Sequence, residues 1–173
     1  GVDVTILMEG GPVGGISKDE KGVLNNLSRA GAEIYTIESE GKLPARYRYL
    51  HTKYLVADGE VTVVLSENFK DSGVPKSGFG NRGWGAAVED REVAKYFTEV
   101  FMDDLAGYDI YSWILGTEEL PDTSEPEKAV RVFKPKTITN CEVTPIISPD
   151  TSYLIGDALN NAKSSIDIQQ AYI

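Results

Sequence analysis

Between His51 and Phe69 the chain reads HTKYLVADGEVTVVLSENF, two runs rich in Val, Leu and Tyr joined by Asp58 and Gly59. Asp-Gly between alternating runs is a strong hairpin signal, because the favoured two-residue turn needs positive φ at both central positions. No other stretch constrains the fold so tightly. With Asp58 and Gly59 as the loop, Ala57 is expected opposite Glu60, and His51 opposite Ser66. Side chains two apart share a face of a strand. The spacing therefore predicts His51 and Lys53 on one face, joined by Ser66 and Asn68 from the return strand, about 5 Å away where directly opposite. The other face is expected to hold Tyr54, Val56, Val61, Val63 and Leu65 as a buried apolar layer.

An imidazole, an ammonium, a hydroxyl and a carboxamide on one face suit phosphate-ester chemistry. A neutral imidazole can attack phosphorus or pass a proton near pH 7, its unperturbed pKa being about 6.5. Lysine and asparagine supply donors for non-bridging oxygens, whose charge must be stabilised as phosphorus becomes five-coordinate. The lysine carries the positive charge, so the chemistry requires no metal and no cofactor is expected. No Ser-His-Asp arrangement is evident, which argues against peptide hydrolysis. Cys141 is the only cysteine and His51 the only histidine, so intrachain disulfides and a cysteine metal cluster are excluded.

The hairpin sits within an alternation of strand and helix. Val2 to Met8 reads as a buried strand, followed by the Gly-rich turn at residues 10–15. That turn lacks the Lys-Ser/Thr ending of a nucleotide loop and is read as a plain turn. Ser17 and Glu20 have capping-box spacing, Val23, Leu24 and Leu27 give the helix its stripe, and Gly31 supplies its stop. Glu33 to Ile37 is the next strand, expected to lie parallel to the first. Tyr47 to Ala57 and Val61 to Ser66 form the hairpin, 70–82 a loop, and Ala86 to Glu89 a short strand. Asp90 caps a helix whose face is Val93, Tyr96, Phe97, Val100 and Phe101. Lys42, Arg46 and Arg48 precede the hairpin and are read as solvated, with steering of a phosphate as the functional alternative.

The chain has 173 residues, 41% of them apolar and 25% charged, as expected of a folded domain. A net charge of −10 disfavours a nonspecific nucleic-acid binder, which needs a basic surface. No run of 18 apolar residues appears, so nothing here reads as a membrane span, and no signal peptide is visible; the compartment stays open, cytoplasmic or membrane-peripheral for the full-length protein. Pro, Glu, Asp, Ser and Thr dominate from Gly116 to Glu127, the mark of a linker. Beyond it, Glu142 to Ile147 reads as a strand, Thr151 to Lys163 as a helix and Ile166 to Ile173 as a further strand. The expected division is residues 1–116, a linker at 117–140, and 141–173.

HTKYLVAD followed by SEN resembles the HxKxxxxD signature and trailing S-x-N of the phospholipase D superfamily, with His51, Lys53, Asp58, Ser66 and Asn68 at the motif positions. GVDVTILM, the strand after AGAEIY and the NRGWG stretch match the layout of one half-repeat over roughly residues 1–105. The resemblance implies an α/β sandwich with a mixed sheet flanked by helices. It also implies a metal-independent phosphodiesterase or phosphatidyltransferase that closes its site between two such motifs. One histidine becomes a covalent phosphohistidine and the other protonates the leaving alcohol. It assigns Asp58 to orienting a histidine, where its bland reading is a turn residue, and it brings Asn81 and Trp84 to the substrate with Lys53 and Asn68. The implied partners are a phosphodiester, foremost a phospholipid, and a second motif from another repeat or a homodimer. Residues 141–173 resemble the opening of a second repeat, expected to pack back on the first. An endonuclease of the same superfamily and a non-catalytic interaction module are the alternatives. Two positions depart from the family: Leu65 replaces the usual Gly, and Gly83 stands where a Glu is common, with Glu89 as a candidate substitute.

Overall fold

The computed structural model describes residues 1–38, 46–70, 72–74, 80–120 and 136–166, and the chain divides into two units, 1–135 and 136–173. Lys42, most of the linker and residues 167–173 of the expected last strand lie outside the described residues.

In the first unit, β1 (Thr5–Glu9), α1 (Lys18–Arg29) and β2 (Glu33–Ile37) form the expected crossover, with β1 and β2 parallel from Thr5 opposite Glu33 to Glu9 opposite Ile37. Helix α1 starts where the sequence says it should. Ser17 Oγ accepts the Glu20 N–H while Glu20 Oε2 accepts the Ser17 N–H, so two orphan donors are satisfied reciprocally. It ends in a Schellman arrangement: Gly31, at φ 102°, donates to the Ser28 carbonyl and Ala32 to that of Leu27. Only glycine adopts that φ without strain. Leu24, Ile34 and Ile37 form the core on this side.

Asn25, on α1, is fully buried. Its Oδ1 accepts from Trp113 Nε1 and the Gly116 N–H, both at 3.0 Å, and its Nδ2 donates to the Glu118 carbonyl at 3.1 Å. Residues 113–120 are thereby strapped across the helix. A third strand, β6 (Ile110–Ser112), pairs antiparallel with β2 and makes this sheet mixed. Three residues are too few to show alternation, so β6 leaves no readable trace in the sequence.

The hairpin forms a second, antiparallel sheet, ordered β3 (Tyr54–Ala57), β4 (Val61–Leu65), β5 (Gly85–Glu89). The fold is α/β with helices against sheets, as expected, but among the described residues the strands divide into two three-stranded sheets. The first hairpin strand is shorter than expected: ladder pairing begins at Tyr54 rather than Tyr47. Helix α2 (Arg91–Leu105) packs on this sheet, capped by Asp90, whose carboxylate accepts the Glu92 and Val93 N–H groups at 2.9 and 3.0 Å. Ala94 and Phe97 are buried, and the Phe97 ring lies 5.0 Å from that of Tyr54.

The register departs from expectation by one residue. Asp58 and Gly59 do form the turn, both at positive φ (54° and 66°), closed by the Glu60 N–H on the Ala57 carbonyl at 3.0 Å. Pairing then resumes with Ala57 opposite Val61, so Glu60 is an extra residue on the return strand. It stays in solvent, where its carboxylate meets Arg91 at 2.5 Å. A slip of one residue exchanges faces. Tyr54, Val56, Thr62 and Val64 therefore share the α2 face, with Thr62 fully buried, while Leu55, Val61, Val63 and Leu65 share the other. The single layer expected of Tyr54, Val56, Val61, Val63 and Leu65 is split between the two faces.

The second unit holds α3 (Tyr153–Asn161), within the expected 151–163. Thr151 Oγ1 accepts the Ile147 N–H at 2.8 Å and anchors the turn before it. Residues 142–147 form no ladder among the described residues, so the expected strand there is not present. No helix among the described residues is long and apolar enough to cross a membrane.

Candidate active site

Three anchors carry the chain into His51. Arg46 is the strongest: its N–H and its Nε donate to the two oxygens of Asp109, each at 2.8 Å, and its guanidinium also reaches the Asp103 and Asp104 carbonyls. Asp109 is 2% exposed and the Arg46 side chain 19%, so the carboxylate end of this ion pair is buried and the guanidinium part-buried. Burial pushes the Asp109 carboxyl up, but the Arg46 hydrogen bonds and charge outweigh it, and the net pKa falls below the ordinary value. Next, the Tyr47 hydroxyl donates to Asp104 Oδ1 at 2.9 Å. Finally Glu9, at the end of β1, accepts the Leu50 N–H at 2.7 Å and the Gly11 N–H at 2.8 Å. The expectation of a solvated Arg46 is corrected, because its partners come from the end of α2 and the entry to β6. Arg48 remains exposed and lines a cleft of about 290 Å³ with Glu9, Ile37, Glu38, Tyr47 and Leu50, just before His51.

His51 is exposed and its imidazole makes no hydrogen bond among the described residues. Lys53 is half-buried; its Nζ donates to the His51 carbonyl at 2.7 Å, and its own carbonyl accepts the Leu65 N–H at 2.8 Å. Burial lowers the Lys53 pKa, and the nearby Glu67 carboxylate opposes that fall. The bulge at Glu60 has a consequence for this end of the hairpin. The ladder ends with Lys53 across from Leu65, and the same register continued to His51 meets Glu67 rather than Ser66.

Ser66 turns to the neighbouring strand. Its Oγ accepts the Trp84 N–H at 3.0 Å and donates to the Trp84 carbonyl at 3.3 Å. Trp84 itself is 68% exposed, at the rim. Asn81 Nδ2 donates to Glu67 Oε2 at 3.0 Å, and Asn68 is exposed at the same strand end. Ser66, Glu67, Asn81 and Trp84 are linked at the open end of the sheet, but the register that turns Glu67 to the Lys53 face turns Ser66 to the other, so the single face expected of His51, Lys53, Ser66 and Asn68 is split; Asn68 lies exposed just past the ladder. Asp58 does not join them. It lies in the turn, five residues and roughly 16 Å along the strand from Lys53. Glu89 is also at the turn end, opposite Val61, and cannot serve the cluster.

Sequence reasoning missed Glu9, Asp104, Asp109 and Glu67. The first three act across 41 to 63 residues of chain, beyond the reach of any local pattern. Glu67 stands inside the S-x-N triplet, and only the register reveals its direction. The family model described as "Cardiolipin synthase, PLD-like domain" matches residues 1–105, which span β1 through α2 and every residue of this cluster. No curated protein matches the chain. On the match over more than half its length, the chain belongs to the phospholipase D-like domain family.

Proposed function

We propose that residues 1–105 supply one half of a phosphodiesterase or phosphatidyltransferase site, in which His51 is the nucleophile or the general acid. The observation that carries this reading is an exposed imidazole, with no hydrogen bond among the described residues, two residues from a half-buried ammonium, inside the matched family segment. Lys53 and Asn68 are the donors for the non-bridging oxygens, and Ser66 holds the Trp84 backbone so that the strand end keeps its shape. Asn81 and Trp84 border the substrate, and Asp58 orients a histidine from the turn, across an interface with the other half. In the first step a histidine nitrogen bonds to phosphorus while the bond from phosphorus to the leaving oxygen breaks. The second histidine gives that oxygen its proton. In the second step water or an alcohol loses its proton to that histidine and attacks phosphorus, and the P–N bond breaks. The second histidine comes from another copy of the motif, in a further repeat or a homodimer.

The lysine charge serves in place of a metal, so turnover is expected to persist in a chelator. A phospholipid is the substrate favoured by the family description, and the exposed site suits a headgroup presented at a membrane surface. The net charge of −10 disfavours a nuclease. Quenching the assembled two-motif protein in alkaline detergent during turnover of a ³²P-labelled phosphodiester tests the reading. Label stable to base and labile to acid is expected on His51, or on the partner histidine where His51 is the acid. Turnover with no histidine labelled would overturn the covalent route.

A further inference from the structure

Glu67 occupies a place that the expected four-group site does not provide for. Its side chain is half-buried, its Oε2 accepts from Asn81, and its charge acts on Lys53. It also fills space that another residue would need. A Cβ built on Gly83 would overlap Glu67 Cγ and stand 2.9 Å from both Glu67 Oε1 and Ser66 Oγ. Position 83 has no room for a side chain while Glu67 keeps this conformation. The carboxylate is therefore built in: fixed by an amide, seated against a glycine, and two residues beyond Leu65, the cross-strand partner of Lys53.

We propose that Glu67 is the positioning residue of this half-site, keeping the Lys53 ammonium charged and aimed at the phosphoryl group, and that Gly83 is glycine because Glu67 fills the space beside it. An ammonium taken partly out of water loses its proton more readily unless a carboxylate stands near. A neutral Lys53 would offer a far weaker donor to a phosphoryl oxygen, since charge-assisted hydrogen bonds are about twice as strong as neutral ones. The role in turnover rests on the phosphodiester reading of His51 and Lys53, whereas the effect on Lys53 itself does not.

Two measurements on Glu67→Gln separate these. The first follows the Lys53 Cε resonance through a pH titration. The Lys53 pKa is expected to fall further below its ordinary value in the variant, and an unchanged titration would overturn the assignment whether or not the protein turns over substrate. The second compares steady-state kinetics in the assembled protein. A loss of roughly 10- to 100-fold in kcat, with KM little changed, is expected from a misaimed donor; a normal kcat would contradict the role. Relocation provides the check against a merely structural effect. Glu67→Gly alone should lose activity, and Glu67→Gly with Gly83→Glu should recover much of it, because the carboxylate returns from the adjacent strand. No recovery in a folded double variant counts against a positioning role.

Discussion

Replacing His51 by asparagine is expected to lower phosphodiester turnover by at least about 10⁴-fold, because no other group in the half-site can bond to phosphorus or deliver a proton near neutral pH. Asparagine has comparable bulk at the β- and γ-positions, but its amide neither ionises nor acts as a nucleophile. The fold should be unaffected. The imidazole is exposed and unpartnered among the described residues, and the bond that Lys53 makes to residue 51 is to its backbone carbonyl. Exposed substitutions of this kind change stability by no more than about 0.5 kcal/mol. Kinetics and thermal unfolding of the same preparation check both halves: lost turnover with an unshifted midpoint. Retained turnover in a pure His51→Asn variant refutes the assignment.

Asp109→Ala is expected to be the most damaging single substitution to the fold. It leaves the Arg46 guanidinium and the Arg46 N–H without the carboxylate that both address at 2.8 Å. Removing one partner of a buried pair costs about 3 kcal/mol or more. For a domain of this size that lowers the unfolding midpoint by roughly 6–12 °C. The same pair gives a pH dependence of definite sign. The folded Asp109 pKa lies below the unfolded value of about 3.9, so its stabilising contribution is complete above that value and disappears as pH falls through the folded pKa. Wild-type stability should therefore fall more steeply under acid than that of Asp109→Ala, and the two curves should converge at low pH. Parallel curves would show that the pair contributes nothing.

The parts of the fold that were legible in the sequence are the local ones. The Ser17–Glu20 capping box, the Asp90 cap and the Gly31 stop each satisfy orphan helix donors or acceptors within a few residues, so spacing reveals them. The Asp58-Gly59 turn was legible for the same reason. Its register was not. The extra residue at Glu60 is chosen by the faces of the whole sheet, which set Thr62 and Val64 against α2 and leave Glu60 in water to meet Arg91. For the site, His51, Lys53, Ser66 and Asn68 could be named from residue type and spacing. The direction of Ser66 toward Trp84 follows from the third strand, which lies 18 residues away. Arg46 looked like a surface cation because Asp109, its partner, is 63 residues further along the chain. Glu67 was hidden by the one-residue slip, since the unslipped register places its carboxylate on the face away from Lys53.

Orthovanadate, which adopts the trigonal-bipyramidal geometry of five-coordinate phosphorus, offers the most direct look at this surface. In a crystal of the assembled two-motif protein, vanadium is expected within bonding reach of His51 or its counterpart, with equatorial oxygens on Lys53 Nζ and Asn68 Nδ2. An oxyanion seated elsewhere, with the ammonium of Lys53 left in solvent, would contradict the account.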